Sequence, residues 1–141
     1  MICEKMKNIV NYTKTKFNND LRKYNITAAQ FLVLKYLLKN EGKKISQKEI
    51  CEYLFLKHTT VNGIMKRLEE KKLIEKQTNH VSNIKITTKG KKLYESIGDY
   101  EENIEKHILQ KFNSSDIKKL SSMLDLMLED ITDSQKRGDS Y

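Results

Sequence analysis

Proline and tryptophan are absent from the 141-residue sequence, glycine occurs five times and cysteine twice. The missing proline, beside 24 lysines against 3 arginines and many Asn and Ile, reflects AT-rich coding and says nothing about function. No run of 18 apolar residues is present, which excludes a membrane-spanning helix. The opening stretch MICEKMKNIVNYTKTK lacks the uninterrupted apolar segment of an export leader. Cys3 and Cys51 are therefore expected to be reduced thiols in a cytoplasmic protein. Glycine-rich phosphate loops, activated nucleophiles and paired-carboxylate motifs are missing, so no catalytic residue is assigned and no enzyme is expected. His58, His80 and His107 lie far apart and match no metal-ligand spacing, and Glu101, Glu105 and His107 read as a solvated helix face. Neither a metal nor a cofactor is expected.

What is present is positive charge, unevenly placed. Lys and Arg total 27 against 19 Asp and Glu, a formal net charge of +8. Residues 1–25 carry a net +4, residues 26–92 a net +9 and residues 93–141 a net −5. A basic middle beside an acidic tail suggests that one segment meets a polyanion and the other does not, although a lysine-rich solvated surface gives the same count. The length fits one domain, or a small core with appended helices.

Hydrophobic periodicity predicts six helices and one hairpin, a mainly α (α+β) class. Ile2, Met6, Ile9/Val10, Thr13, Phe17 and Leu21 fall at helical spacing over about five turns, and Asn18, Asn19 and Asn25 mark the exit. Thr27 with Gln30 forms a capping box, and Ile26 with Phe31 a hydrophobic staple, opening a second helix that stops near Gly42. Ser46 with Glu49 and Ile45 with Ile50 repeat both devices at a short third helix, Gln47 to about Leu54. A fourth begins near Thr59 and runs to about Lys72. The period then changes from 3.6 to 2: Leu73–Gln77 and Val81–Thr87 read as strands around Thr78-Asn79-His80. Leu93, Ile97, Tyr100, Ile104 and Ile108 lie on one stripe of a fifth helix. Ser114 or Ser115 caps a sixth, with Ile117, Leu120, Leu124, Met127/Leu128 and Ile131 in line, and residues after about Ser134 read as frayed.

Two helices joined by a tight turn and followed at once by a two-stranded ribbon describe a winged helix-turn-helix, whose second helix enters the DNA major groove. Val61, Ile64/Met65 and Leu68 must pack inward, which places Thr59, Asn62, Gly63 and Lys66 outward. Thr59, Thr60 and Asn62 are short and neutral and suit base edges; Asn62 can pair bidentately with adenine. Lys66, Arg67, Lys76 and Lys85 are long cations suited to phosphates. Gln47 and Lys57 complete the candidate DNA face, with His80 at the wing tip. Gly63 weakens a helix by roughly 1 kcal/mol relative to Ala, a cost that close approach to DNA explains as well as chance does.

The runs ITAAQFLVLKYLLKN, ISQKEICEYLFLKHTTVNGIMKRLEEKKLIEK and IKITTKGKKL resemble the MarR family of bacterial transcription regulators. The features that carry the likeness are Thr27, Gln30, Val33 and Leu34; Thr60-Val61; Arg67-Leu68-Glu69 through Leu73-Ile74; and Thr87 with Gly90. The likeness covers residues 26–92 as the DNA-binding core. It implies dimerisation segments at 1–25 and 93–141, with the first, fifth and sixth helices at the interface of a triangular homodimer. It further implies two winged lobes on a palindromic operator, with half-sites about one helical turn (roughly 10 bp) or a multiple apart, and a repressor released by a small molecule or an oxidant. Two departures stand out. The wing is short, and Thr78-Asn79-His80 replaces the family's Asp-x-Arg tip, leaving Lys76, His80 or Lys85 as substitutes. Phe55 also occupies the motif's turn, where a small residue is common.

Some members of that family sense peroxide through a cysteine, which makes Cys3 a redox candidate, whereas Cys51 reads as a small packing residue at a helix crossing. Tyr12, Tyr24, Tyr36, Tyr53, Tyr94, Tyr100 and Tyr141 are candidates for lining an effector cavity, or for ordinary core and interface roles. The alternative to a DNA-binding regulator is a winged-helix interaction module, for instance an anti-repressor, that has lost DNA binding; the +9 core argues against it.

Overall fold

The computed structural model describes residues 1–78 and 82–136. Asn79, His80, Val81 and Tyr141, which enter the expectations above, lie outside these residues. Among the described residues the chain forms α1 (Ile2–Leu21), a 3-10 turn (Arg22–Tyr24), α2 (Ala28–Lys39), α3 (Gln47–Leu54) and α4 (His58–Glu70). Then follow β1 (Ile74–Thr78), β2 (Ser82–Ile86), α5 (Thr88–Ile97), α6 (Tyr100–Ile108) and α7 (Ser114–Lys136). They fall into two compact units, Met1–Tyr100 and Glu101–Tyr141.

In the first unit α2 is the hub, touching α1, α3, α4, α5 and β2. Its Phe31, Val33, Leu34 and Leu37 are buried, and so are Phe17 and Leu21 of α1 and Val61, Ile64, Met65 and Leu68 of α4. Both halves of the predicted capping box form: Thr27 Oγ1 accepts from the Gln30 N–H at 3.2 Å, and Gln30 Oε1 accepts from the Thr27 N–H at 3.2 Å. Gln30 is buried, and its Oε1 also accepts from the Lys71 ammonium at 3.2 Å, tying the start of α2 to the end of α4. Asn18 lies inside α1 rather than at its exit, and its Oδ1 accepts from the Ala28 N–H at 2.7 Å. Asn25 takes the left-handed conformation (φ 57°) that ends the 3-10 turn.

At α3 only half of the predicted box forms. Ser46 Oγ accepts from the Glu49 N–H at 3.2 Å, while the Glu49 carboxylate accepts from the Tyr36 hydroxyl at 3.3 Å. A tertiary donor has taken the carboxylate that local patterning assigned to the cap.

Helices α3 and α4 close alike. Leu56 N–H bonds to Cys51 O (3.2 Å) and Phe55 N–H to Glu52 O (3.4 Å), and likewise Leu73 N–H bonds to Leu68 O (3.0 Å) and Lys72 N–H to Glu69 O (2.9 Å). These are Schellman pairs, which require a left-handed residue; Phe55 (φ 54°) and Lys72 (φ 61°) supply it where glycine is usual. Because Lys72 is exposed, a glycine there sacrifices little packing and relieves about 1–2 kcal/mol of left-handed strain. Part of that gain is returned through the freer unfolded chain. Lys72→Gly is expected to raise unfolding stability by about 0.5–1 kcal/mol, read as a higher urea midpoint at unchanged slope. A lower midpoint would show that the lysine side chain matters more than its backbone.

The strands pair antiparallel in the register Ile74↔Ile86, Glu75↔Lys85, Lys76↔Ile84, Gln77↔Asn83. Residues facing one another across the ladder share a face, so Ile74, Ile84 and Ile86 look inward and Glu75 and Lys85 outward. Ile84 N–H also bonds to Ile45 O at 3.0 Å, anchoring the wing to the segment before α3.

One predicted helix proves to be two. The stripe Leu93–Ile108 keeps helical phase, yet the chain breaks at Gly98 (φ 66°, ψ −136°), a backbone conformation that ends α5 and cannot continue a helix. In the second unit, α7 is capped by Asn113 rather than by Ser114 or Ser115: its Oδ1 accepts from the Asp116 N–H at 2.8 Å. Asparagine caps as well as serine and stands one residue earlier. The helix continues through Lys136, past the predicted onset of fraying. No helix among the described residues is long and apolar enough to cross a membrane.

Candidate nucleic-acid interface

Helix α4 begins at His58, one residue before the predicted start, with Lys57 as its N-cap and no side-chain cap bond. Its first N–H groups are left for solvent or an anion, the arrangement that suits a phosphate. With Val61, Ile64, Met65 and Leu68 buried, Thr59, Asn62 and Lys66 are exposed on the other side, as the spacing predicts, and Thr60 and Arg67 are exposed beside them. Lys57 is exposed too. Gly63 sits half-buried on the same helix, and a Cβ there would meet nothing within 4 Å. Protein packing therefore places no demand on Gly63.

Gln47, at the start of α3, is brought directly against Asn62. Gln47 Nε2 donates to Asn62 Oδ1, and Gln47 Oε1 accepts from the Lys76 ammonium at 3.5 Å. Lys76 also pairs with Glu69 of α4 at 3.4 Å. The register explains this: Lys76 stands opposite Ile84 on the inner face of the wing, so its side chain reaches back to α3 and α4. Lys85, opposite Glu75, faces outward and is exposed. Of the three residues offered as substitutes for the wing-tip arginine, Lys76 is thus held inside the motif, Lys85 is on the outer face, and His80 lies outside the described residues. Glu69 is the partner that residue-by-residue reading missed.

The remaining candidates lie elsewhere. Cys51 is buried at the α3–α4 crossing, its Sγ 3.9 Å from His58 Nδ1, and burial pushes its thiol pKa up. Such a thiol is a weak nucleophile. Cys3 is exposed in the first turn of α1, in a different element from every residue of the α3–α4 face. The described tyrosines make separate ring contacts. Tyr36 pairs with Tyr53 (ring centroids 4.6 Å apart), Tyr94 stacks on Phe31 (5.1 Å), Tyr24 meets Tyr100 edge-on (6.3 Å), and Tyr12 is exposed. Among the described residues no group of three or more His, Cys, Asp or Glu is placed to hold a metal ion.

Residues 24–80, which contain the whole helix-turn-helix, match the family model described as MarR family. The chain is 29% identical over 117 residues to an uncharacterized HTH-type transcriptional regulator of Bacillus subtilis, YwoH, covering 81% of this chain and 84% of that protein. Among solved structures, an S. aureus MepR–DNA complex superposes with a TM-score of 0.84 at 25% identity, over 92% of this chain and 98% of that one. The transcriptional regulator SlyA superposes with a TM-score of 0.86 at 24% identity, over 96% of each chain. Motif order and fold agree with these matches: residues 24–80 match the MarR family model, and the chain shares the winged helix-turn-helix fold of solved transcriptional regulators.

Proposed function

We propose that the protein is a repressor that grips a palindromic operator as a homodimer, each copy laying α4 in the major groove, and that a small-molecule effector releases it. The observation that carries this reading is the exposed face Thr59, Thr60, Asn62, Lys66 and Arg67, set behind an uncapped helix start in a segment of net charge +9. The superposition on a DNA-bound relative supports it. Lys57, Lys66, Arg67 and Lys85 act on phosphates, and Thr59, Thr60 and Asn62 read bases. Gly63 lets the helix approach closely. The core spans residues 26–92 and the dimer stem residues 1–25 and 93–141. Cys3 is the residue through which an oxidant would act.

The reading is tested by selecting bound fragments from random duplex DNA and then titrating the winner against salt. An enriched palindrome with half-sites about 10 bp apart, or a multiple, is the expected result. Lys66→Ala or Arg67→Ala should weaken specific and random duplexes alike and flatten the log–log salt slope by about 0.9 for each phosphate no longer neutralised. Asn62→Ala should instead cost about 1–3 kcal/mol of discrimination per half-site at one symmetric pair of positions and leave random-duplex binding nearly unchanged. Enrichment of no sequence, with charge-independent binding, would favour a protein-interaction module.

A further inference from the structure

Asn62, Gln47 and Lys76 form a chain of hydrogen bonds whose direction is set by one end. An ammonium group can only donate. The Gln47 atom facing Lys76 is therefore its oxygen, Oε1, at 3.5 Å. That choice turns Gln47 Nε2 toward Asn62, where it donates to Oδ1. Asn62, exposed on the outward face of α4, is left presenting its Nδ2 hydrogens. Glu69 holds Lys76 in place through the 3.4 Å ion pair, so the relay starts from a fixed charge.

We propose that Gln47 and Lys76 are positioning residues that fix the polarity of the Asn62 amide, making it a donor toward base edges that carry acceptors only, guanine N7 and O6 foremost. This rests on the reading of α4 as the groove-entering helix. It disfavours the bidentate adenine contact that an unrestrained asparagine makes, because Gln47 already occupies one of the two Oδ1 lone pairs and draws that oxygen toward α3, away from the adenine amino group. It also couples the wing to base choice without any wing residue touching a base: β1 carries Lys76, and Lys76 orients the reader two side chains away.

The decisive variant is Gln47→Glu. A carboxylate only accepts, so it can satisfy Lys76 and Asn62 together only if Asn62 turns its Nδ2 inward and its Oδ1 outward. Preference at the contacted base should then swing from guanine toward adenine or cytosine, whose amino groups donate. The wild type should favour guanine over adenine at that position by about tenfold, and Gln47→Glu should reverse the order. The added negative charge will weaken all duplexes together, so the readout is the ratio between duplexes that differ at one symmetric pair of positions. An unchanged ratio in Gln47→Glu overturns the proposal.

A second measurement needs no DNA. In side-chain amide NMR spectra of the free protein, Lys76→Met should shift the Gln47 and the Asn62 resonances, although residue 76 touches only Gln47 of the two. Asn62 resonances that ignore Lys76→Met would break the relay, whatever the DNA results. A wild type that enriches no sequence, with the NMR coupling intact, would overturn the operator-binding reading and the base preference built on it.

Discussion

Replacing Gly90 by alanine is expected to destabilise the fold by about 2–4 kcal/mol, enough to remove a large part of an ordinary domain's stability. A Cβ at this position would stand 2.3 Å from the carbonyl oxygen of Leu73 and 2.8 Å from Ile86 Cγ1. A side-chain tip can move aside, but the Leu73 carbonyl is engaged: it accepts from the Thr87 N–H at 3.0 Å. Thr87 in turn caps α5, accepting from the Gly90 N–H at 3.0 Å, and its hydroxyl donates to Lys72 O at 2.7 Å. The methyl group therefore pushes at the point where the base of the wing, the end of α4 and the start of α5 are joined. Gly63→Ala provides the opposite case within one experiment. It has open space around the new methyl and gains helix propensity, so it should stabilise by up to about 1 kcal/mol. Urea unfolding of the two variants beside the wild type reads both signs. A Gly90→Ala midpoint equal to wild type would mean that the backbone at Leu73 yields freely.

This close approach explains why a threonine and a glycine three residues apart are readable as the closing signal of the wing, while other features are not readable at all. The capping box at Thr27 and Gln30 depends on residues three apart and forms as the sequence indicates, because Gln30 Oε1 accepts from the Thr27 N–H and the distant Lys71 ammonium together. The parallel device at Ser46 and Glu49 is only half present, because Tyr36, from a different helix, draws the carboxylate away. The break at Gly98 is hidden because Leu93, Ile97, Tyr100, Ile104 and Ile108 remain in phase across it; periodicity reports the apolar face and not the backbone between. Lys76 is an instructive case. Its charge suggests an outward phosphate contact, but its even spacing from Ile74 already puts both on one face of a strand whose other side carries Glu75. Strand parity is the available signal. The Gln47–Asn62 contact has none, since it joins positions 47 and 62 on different helices and depends on how α3 crosses α4.

The effect expected to be largest on function comes from α7. Leu120, Met123, Leu124, Leu126, Met127, Leu128 and Ile131 are each at least 38% exposed on this helix of 23 residues. Positions 120, 124, 127 and 131 recur at helical spacing, so they form a stripe rather than a scatter. In the first unit α1 likewise exposes Ile2, Ile9 and Val10. Soluble monomers rarely leave contiguous apolar faces of this kind uncovered, and a second copy of the same chain would cover them by symmetry. Light scattering after size exclusion should therefore give about twice 16.6 kDa. Leu124→Glu should split the dimer, because an unpaired carboxylate buried in an apolar interface loses its hydration with nothing to replace it. The isolated copy retains α3, α4 and the wing, so it should still touch a half-site. It no longer holds the second lobe at high effective concentration beside the other half-site, and operator affinity should fall by about 10²–10⁴-fold. Binding to a single half-site should change little in the same variant. That contrast separates a split dimer from a damaged DNA face. A wild-type chain that scatters as a monomer and binds the full operator tightly would place the role of the α7 stripe elsewhere.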